Sequence, residues 1–108
     1  MRGRAMLTLS LPVALMAVAD GVARAAGDKA LGEYLSSECV TCHQLTGQYQ
    51  GIPPIVGWPD QLFIEVMGEY RSKKRANPIM QTIAGRLSAE DIAALAAYFG
   101  SLPATPRN

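Results

Sequence analysis

Cys39-Val40-Thr41-Cys42-His43 gathers both cysteines and the only histidine of a 108-residue chain into five consecutive positions. Nothing else in the sequence constrains the fold as strongly, because whatever binds there must be enclosed by the rest of a short chain. A Cys-x-x-Cys-His run reads as an attachment site for c-type haem. Two thiols three positions apart can add to the two vinyl groups of one porphyrin while the backbone between them stays in a tight helical turn. The histidine that follows is tethered close to the iron, where neutral imidazole serves as the proximal ligand.

Other uses of the same residues fit less well. A structural zinc site wants four nitrogen or sulfur ligands, and the cysteines and histidine supply three. A thiol redox pair normally sits near a strand–helix–strand pattern, and none follows here. A disulfide between residues three apart would close a loop too short to stabilise much.

The N-terminal 25 residues read as a signal peptide rather than as part of the fold. Arg2 and Arg4 form a positive start, Ala5 to Ala19 is largely apolar, and Ala23-Arg24-Ala25 has the small-x-small pattern of a cleavage site. The apolar stretch is short for a membrane span, which needs about 20 residues. Cleavage would leave one small domain over 26–102 and a flexible tail over 103–108, where Pro103 and Pro106 interrupt regular structure. Of ten basic and nine acidic side chains, Arg2, Arg4, Arg24 and Asp20 would leave with the signal, so seven basic and eight acidic remain. That near-neutral balance argues against nucleic-acid binding, which shows a broadly basic surface. A domain of this size is barely large enough for a self-sufficient core, and a buried haem would supply the missing apolar surface.

The domain reads as all-α, about four helices joined by loops, with no period-two alternation. Asp28 is placed to cap a first helix running from Lys29 into Cys39. Residues 44–57 are rich in Gly, Gln and Pro and should form an irregular loop. Pro59-Asp60 opens a second helix with Leu62, Phe63, Val66 and Met67 as its apolar stripe, ending near Tyr70. Asn77-Pro78 marks a short third helix that stops at Gly85. Ser88-Ala89-Glu90-Asp91 opens the last, with Ile92, Leu95, Ala96 and Phe99 facing inward and Gly100 expected just past its end.

With one histidine in the chain, the second axial position falls to a methionine, the usual partner in this kind of haem. Beyond the signal only Met67 and Met80 are available. Met67 lies within an apolar helical stripe, where methionine is most simply core filling. Met80 follows a charged segment at a loop-to-helix junction that could wrap over the haem, and it is the expected ligand.

On these residues the chain resembles the class I cytochrome c family across most of Asp28 to Leu102. The matching features are Gly32 seven residues before Cys39, the attachment run itself, Pro53-Pro54-Ile55-Val56-Gly57, and Arg75 five residues before Met80. The pattern Leu87-x-x-x-Asp91-Ile92-x-x-Leu95-x-x-Tyr98-Phe99 completes the set. The pattern is most similar to the single-haem cytochrome subunit of flavocytochrome c sulfide dehydrogenases. The resemblance implies a class I cytochrome c fold around one covalently attached haem c, exported to the periplasm. It implies a close crossing of the first and last helices, with Gly32 against Tyr98 or Phe99. A loop proline whose carbonyl accepts the proximal imidazole proton is also implied; Pro53 fits that register, with Pro54 one residue on. Tyr49, Trp58 and Arg75 become candidates for the haem edge or its propionates, though Trp58 is equally a half-exposed core residue. The cluster Arg71-Ser72-Lys73-Lys74-Arg75 is either a solvated helix end or a docking patch for an acidic redox partner.

The expected role is one-electron transfer by a His43/Met80-ligated haem, not enzymatic catalysis, since no nucleophile–base pair or second histidine is present. The partner implied by the resemblance is a flavoprotein sulfide dehydrogenase subunit. The alternatives are a freestanding shuttle to a terminal oxidase or other acceptor, a five-coordinate haem sensor, and a thiol oxidoreductase.

Overall fold

The computed structural model describes residues 27–49 and 51–104, together with positions 3, 5–12 and 14 near the start. The cleavage pattern Ala23-Arg24-Ala25 and tail residues 105–108 lie outside the described residues. Among the described residues there are four α-helices, one 3-10 turn and no strand.

Helix α1 spans Lys29–Leu35. Asp28 starts it, its Oδ1 accepting from the amides of Ala30 at 3.0 Å and Leu31 at 3.1 Å. A 3-10 turn over Ser36–Glu38 continues the winding into the attachment run. Ser36 is buried there, and its hydroxyl donates to the Glu33 carbonyl at 2.6 Å. After an irregular loop, α2 spans Asp60–Arg71, α3 Pro78–Gly85 and α4 Ala89–Gly100. Local chemistry accounts for the later starts as well. Asn77 Oδ1 accepts from Ile79 and Met80, both at 3.1 Å. Ser88 and Asp91 form a reciprocal capping box, each side chain bonded to the other's amide at 3.0 Å.

Helix α4 is the centre of the bundle. Its Ile92, Leu95, Ala96 and Phe99 are buried with Val56, Phe63, Met67 and Ala84. Phe99 is fully buried and stacks on Phe63 of α2, with ring centroids 5.9 Å apart. Helix α1 crosses α4 at Gly32, where an added Cβ would strike the Ala94 carbonyl and lie 2.8 Å from the Tyr98 Cβ. The crossing partner is therefore Tyr98, while Phe99 serves the core.

Two details depart from expectation. Leu62 is 45% exposed, so the inward stripe of α2 is Phe63 and Met67, flanked by Val66 and Tyr70. Those positions share one helical face, and Leu62 falls at its margin. Gly100 lies inside α4, and the right-handed Ser101 follows as the cap. Its missing side chain serves a close approach instead, since a Cβ would meet Asp60 Oδ1 at 2.7 Å and the Trp58 carbonyl at 2.9 Å. Beyond α4, Leu102 packs against the core, and Ala104 lies against Gly57, whose added Cβ would be 2.5 Å from the Ala104 Cβ.

Candidate functional site

The loop before α2, α2 itself and the start of α3 enclose a cleft of about 460 Å³, within the usual range of about 300–1,000 Å³ for small-molecule and cofactor sites. Cys39, Cys42, His43, Pro53, Trp58, Arg75 and Met80 all line it. Apolar residues fill most of the remaining wall, among them Ile55, Phe63, Val66 and Ile83. Tyr49 is not brought to the cleft and is 69% exposed.

The attachment run is wound as expected of two thiols presented on one turn. The Cys42 and His43 amides donate to the Cys39 carbonyl at 3.1 and 2.8 Å. The Thr41 hydroxyl ties the turn back to the Glu38 carbonyl at 3.1 Å. Both thiols are free, Cys42 exposed and Cys39 partly buried. Burial, followed by the neighbouring Glu38 carboxylate, pushes the Cys39 thiol above its usual value. A redox-active cysteine needs the opposite, a stabilised thiolate, so this environment disfavours the thiol-oxidoreductase alternative.

His43 Nδ1 lies 2.7 Å from the Pro53 carbonyl oxygen. A carbonyl only accepts, so Nδ1 carries the proton and Nε2 keeps its lone pair. The same bond fixes the ring plane, as it does for histidine ligands generally. The glycines on either side make the geometry of this loop possible: Gly51 and Gly57 adopt positive φ of 85° and 72°, a region open to glycine at little cost. The Gly57 amide then donates to the Phe99 carbonyl at 2.9 Å, fastening the loop to α4.

Trp58 is half-buried at the cleft. It lines the cleft, and its ring meets Phe63 edge-on at 6.4 Å. Arg75 reaches the cleft with its guanidinium already engaged by Glu69 at 3.0 Å and stationed 5.7 Å from the centre of the Tyr70 ring. Both methionines border the cleft, Met67 at 6% exposure and Met80 half-buried. Tyr70 and Ile83 are lining residues that sequence reasoning passed over. Spacing could have found them: Tyr70 follows Phe63 by seven residues and Ile83 follows Met80 by three, each on the same helical face.

Two free thiols on one turn, an imidazole with a free Nε2, a thioether and an apolar cleft make a donor set that fits a covalently held haem. The cytochrome c family profile matches residues 29–103. The chain belongs to the cytochrome c family. Cytochrome c4 of Pseudomonas aeruginosa is 32% identical over 83 residues, covering 75% of this chain and 41% of that protein. The thiosulfate dehydrogenase electron acceptor of Stutzerimonas stutzeri is 36% identical over 69 residues, covering 61% of this chain and 32% of that one. The chain thus spans about two-fifths of the length of the first relative and about a third of the second. Class I membership brings covalently bound haem c, with Cys39 to His43 matching the family's Cys-x-x-Cys-His motif. No helix among the described residues is long and apolar enough to cross a membrane.

Proposed function

We propose that this cytochrome carries single electrons in the periplasm, with Cys39 and Cys42 as the residues that would hold the haem and His43 and Met80 as those that would ligate its iron. When bound, haem c supplies a one-electron couple between ferrous and ferric iron. The observation that carries the ligand reading is the 2.7 Å contact from His43 Nδ1 to the Pro53 carbonyl, which leaves Nε2 as the free donor on a cleft that Met80 also lines. Two protein ligands of this kind would leave the iron suited to electron transfer. Met80 is favoured over Met67 because Met67 is packed among the buried core residues, whereas Met80 sits in the first turn of α3 next to an exposed connection. The test is the methionine-to-iron absorbance band of the ferric protein in the far red. It should vanish in Met80→Ala and persist in Met67→Ala; persistence in both would overturn the ligand set.

The location rests on the N-terminal Arg2/Arg4 start, apolar stretch and Ala23-Arg24-Ala25 pattern. Export should yield a mature chain beginning at Ala26, measurable by intact mass.

For the electron donor, the proposed partner is the flavoprotein subunit of a sulfide dehydrogenase, on the strength of the sequence pattern. The exposed Arg71, Lys73 and Lys74 support a docking patch for an acidic surface, in a domain whose other charged side chains are four basic against eight acidic. A diffusible carrier serving a different inorganic-sulfur dehydrogenase is the second reading, supported by the likeness to a thiosulfate dehydrogenase electron acceptor. Isolation from the native source separates them: a stable complex with a larger flavoprotein supports the first, and a free cytochrome reduced by thiosulfate dehydrogenase supports the second.

A further inference from the structure

We propose that Glu69, Arg75 and Gln81 form a brace that keeps the connection before Met80 closed, so that the iron transfers electrons without admitting small exogenous ligands. The inference rests on Met80 as axial ligand.

Apolar burial does not hold this connection. Every residue from Arg71 to Ile79 is exposed, and Ala84 is the buried residue of α3. Polar contacts converge there instead, on one residue. The Arg75 Nε and Nη2 both reach Glu69 Oε2 at 3.0 Å. The Lys74 and Arg75 amides donate to the Glu69 carbonyl at 2.9 and 3.3 Å. In the other direction, Gln81 Nε2 donates to the Arg75 carbonyl at 3.0 Å. Arg75 therefore grips the end of α2 with its side chain and the start of α3 with its backbone, at the residue next to Met80. Tyr70 lies under the guanidinium, and Tyr70, Arg75 and Met80 share the cleft.

The connection is also held in a conformation its sequence disfavours. Lys73 has φ 63°, a left-handed setting that costs a non-glycine residue energy. A strained turn joined to an unburied segment springs open unless other bonds close it.

Exposed ion pairs add little to global stability, and the Glu69 and Arg75 side chains are 46% and 45% exposed. The brace should therefore show itself in local opening rather than in unfolding. A ligand that binds only the open form gains apparent affinity in proportion to the open fraction.

The experiment titrates imidazole into the ferric holoprotein, following loss of the methionine-to-iron band, with thermal unfolding measured in parallel. Glu69→Gln, Arg75→Ala and Gln81→Ala should each bind imidazole about 3- to 10-fold more tightly than the parent. Their unfolding midpoints should stay close to the parent's. Because Glu69 and Arg75 act through one contact, the double variant should bind no more tightly than Arg75→Ala alone. Arg75→Lys, which keeps the charge without the two-nitrogen grip, should recover part of the resistance. As a control on unrelated surface charge, Arg86→Ala removes the ion pair to Glu38 at 3.6 Å and should leave imidazole affinity unchanged. Affinities within about twofold of the parent in all three brace variants, beside strong binding by Met80→Ala, would overturn the brace while sparing the ligand assignment. If Met80→Ala changes neither the band nor the affinity, the ligand assignment itself is wrong and the brace falls with it.

Discussion

A methyl group added at Gly32 would land on the Ala94 carbonyl, whereas one added at Gly68 meets nothing within 4 Å. Both glycines lie inside helices, and the difference between them is entirely a matter of neighbours. Gly32→Ala should destabilise the holoprotein by about 1–3 kcal/mol, because the α1–α4 crossing has to open to admit the side chain. Gly68→Ala should stabilise it by about 0.5–1 kcal/mol, the usual difference between the two residues in a helix. Denaturant unfolding of the ferric protein reads both, and equal signs for the two would contradict the crossing geometry. The same contrast explains what single residues disclosed in advance. Cys39, Cys42 and His43 could be read together because the Cys-x-x-Cys-His run is wholly local, whereas Pro53, which the structure sets 2.7 Å from His43 Nδ1, came only from the family resemblance with Pro54 left open. Gly100 was misjudged because its function is an approach to Asp60 and Trp58, about 40 positions away in the chain, which no local pattern reports.

Helix starts were legible, and so was the end of α2 near Tyr70, but the turn that makes that end was not, for a reason visible in the caps. Asp28, Asn77 and Ser88 each bond amides within three residues of themselves, so the signal is wholly local. The end of α2 is a Schellman turn, with the Lys73 amide bonded to the Tyr70 carbonyl at 3.1 Å and Lys74 to Glu69 at 2.9 Å. Its left-handed position holds Lys73, where glycine is the usual occupant. A lysine there gives no sequence signal, and the run of charges around it reads only as solvated surface. Lys73→Gly should therefore stabilise the fold by about 1 kcal/mol, seen as a higher denaturation midpoint with unchanged m-value. Ser88→Ala should do the reverse, costing about 1 kcal/mol by removing half of the capping box. The stripe of α2 was legible at Phe63 and Met67 and blurred at Leu62, since periodicity locates a face more sharply than it locates the edge of that face.

At the scale of the whole domain, the haem cleft is not a hollow in a finished core but a large part of the interior. Phe63 and Met67 belong at once to the buried cluster and to the cleft wall. Exported protein carrying Cys39→Ser and Cys42→Ser should therefore lose most of its helical circular dichroism along with its haem, because the cleft walls have nothing else to pack upon. Retention of a full helical spectrum would show that the polypeptide core suffices alone. Charge acts at the same scale. If the Arg71–Arg75 run meets an acidic partner, the second-order rate of electron transfer should fall steeply as salt rises through about 0.1 M, where the screening length is near 10 Å. Replacing Lys73 and Lys74 with Gln should flatten that dependence while leaving the ferric spectrum unchanged.

The meeting of α1 with α4 also sets an order of events. A chain made and delivered from its N-terminus presents Cys39 and Cys42 long before Tyr98 and Ala104 arrive to complete the crossing with Gly32 and the seat beside Gly57. Through that interval α1 lacks the helix it packs against. Final closure waits for the last helix, so the contact that holds the fold together most extensively is also the last that the emerging chain can form.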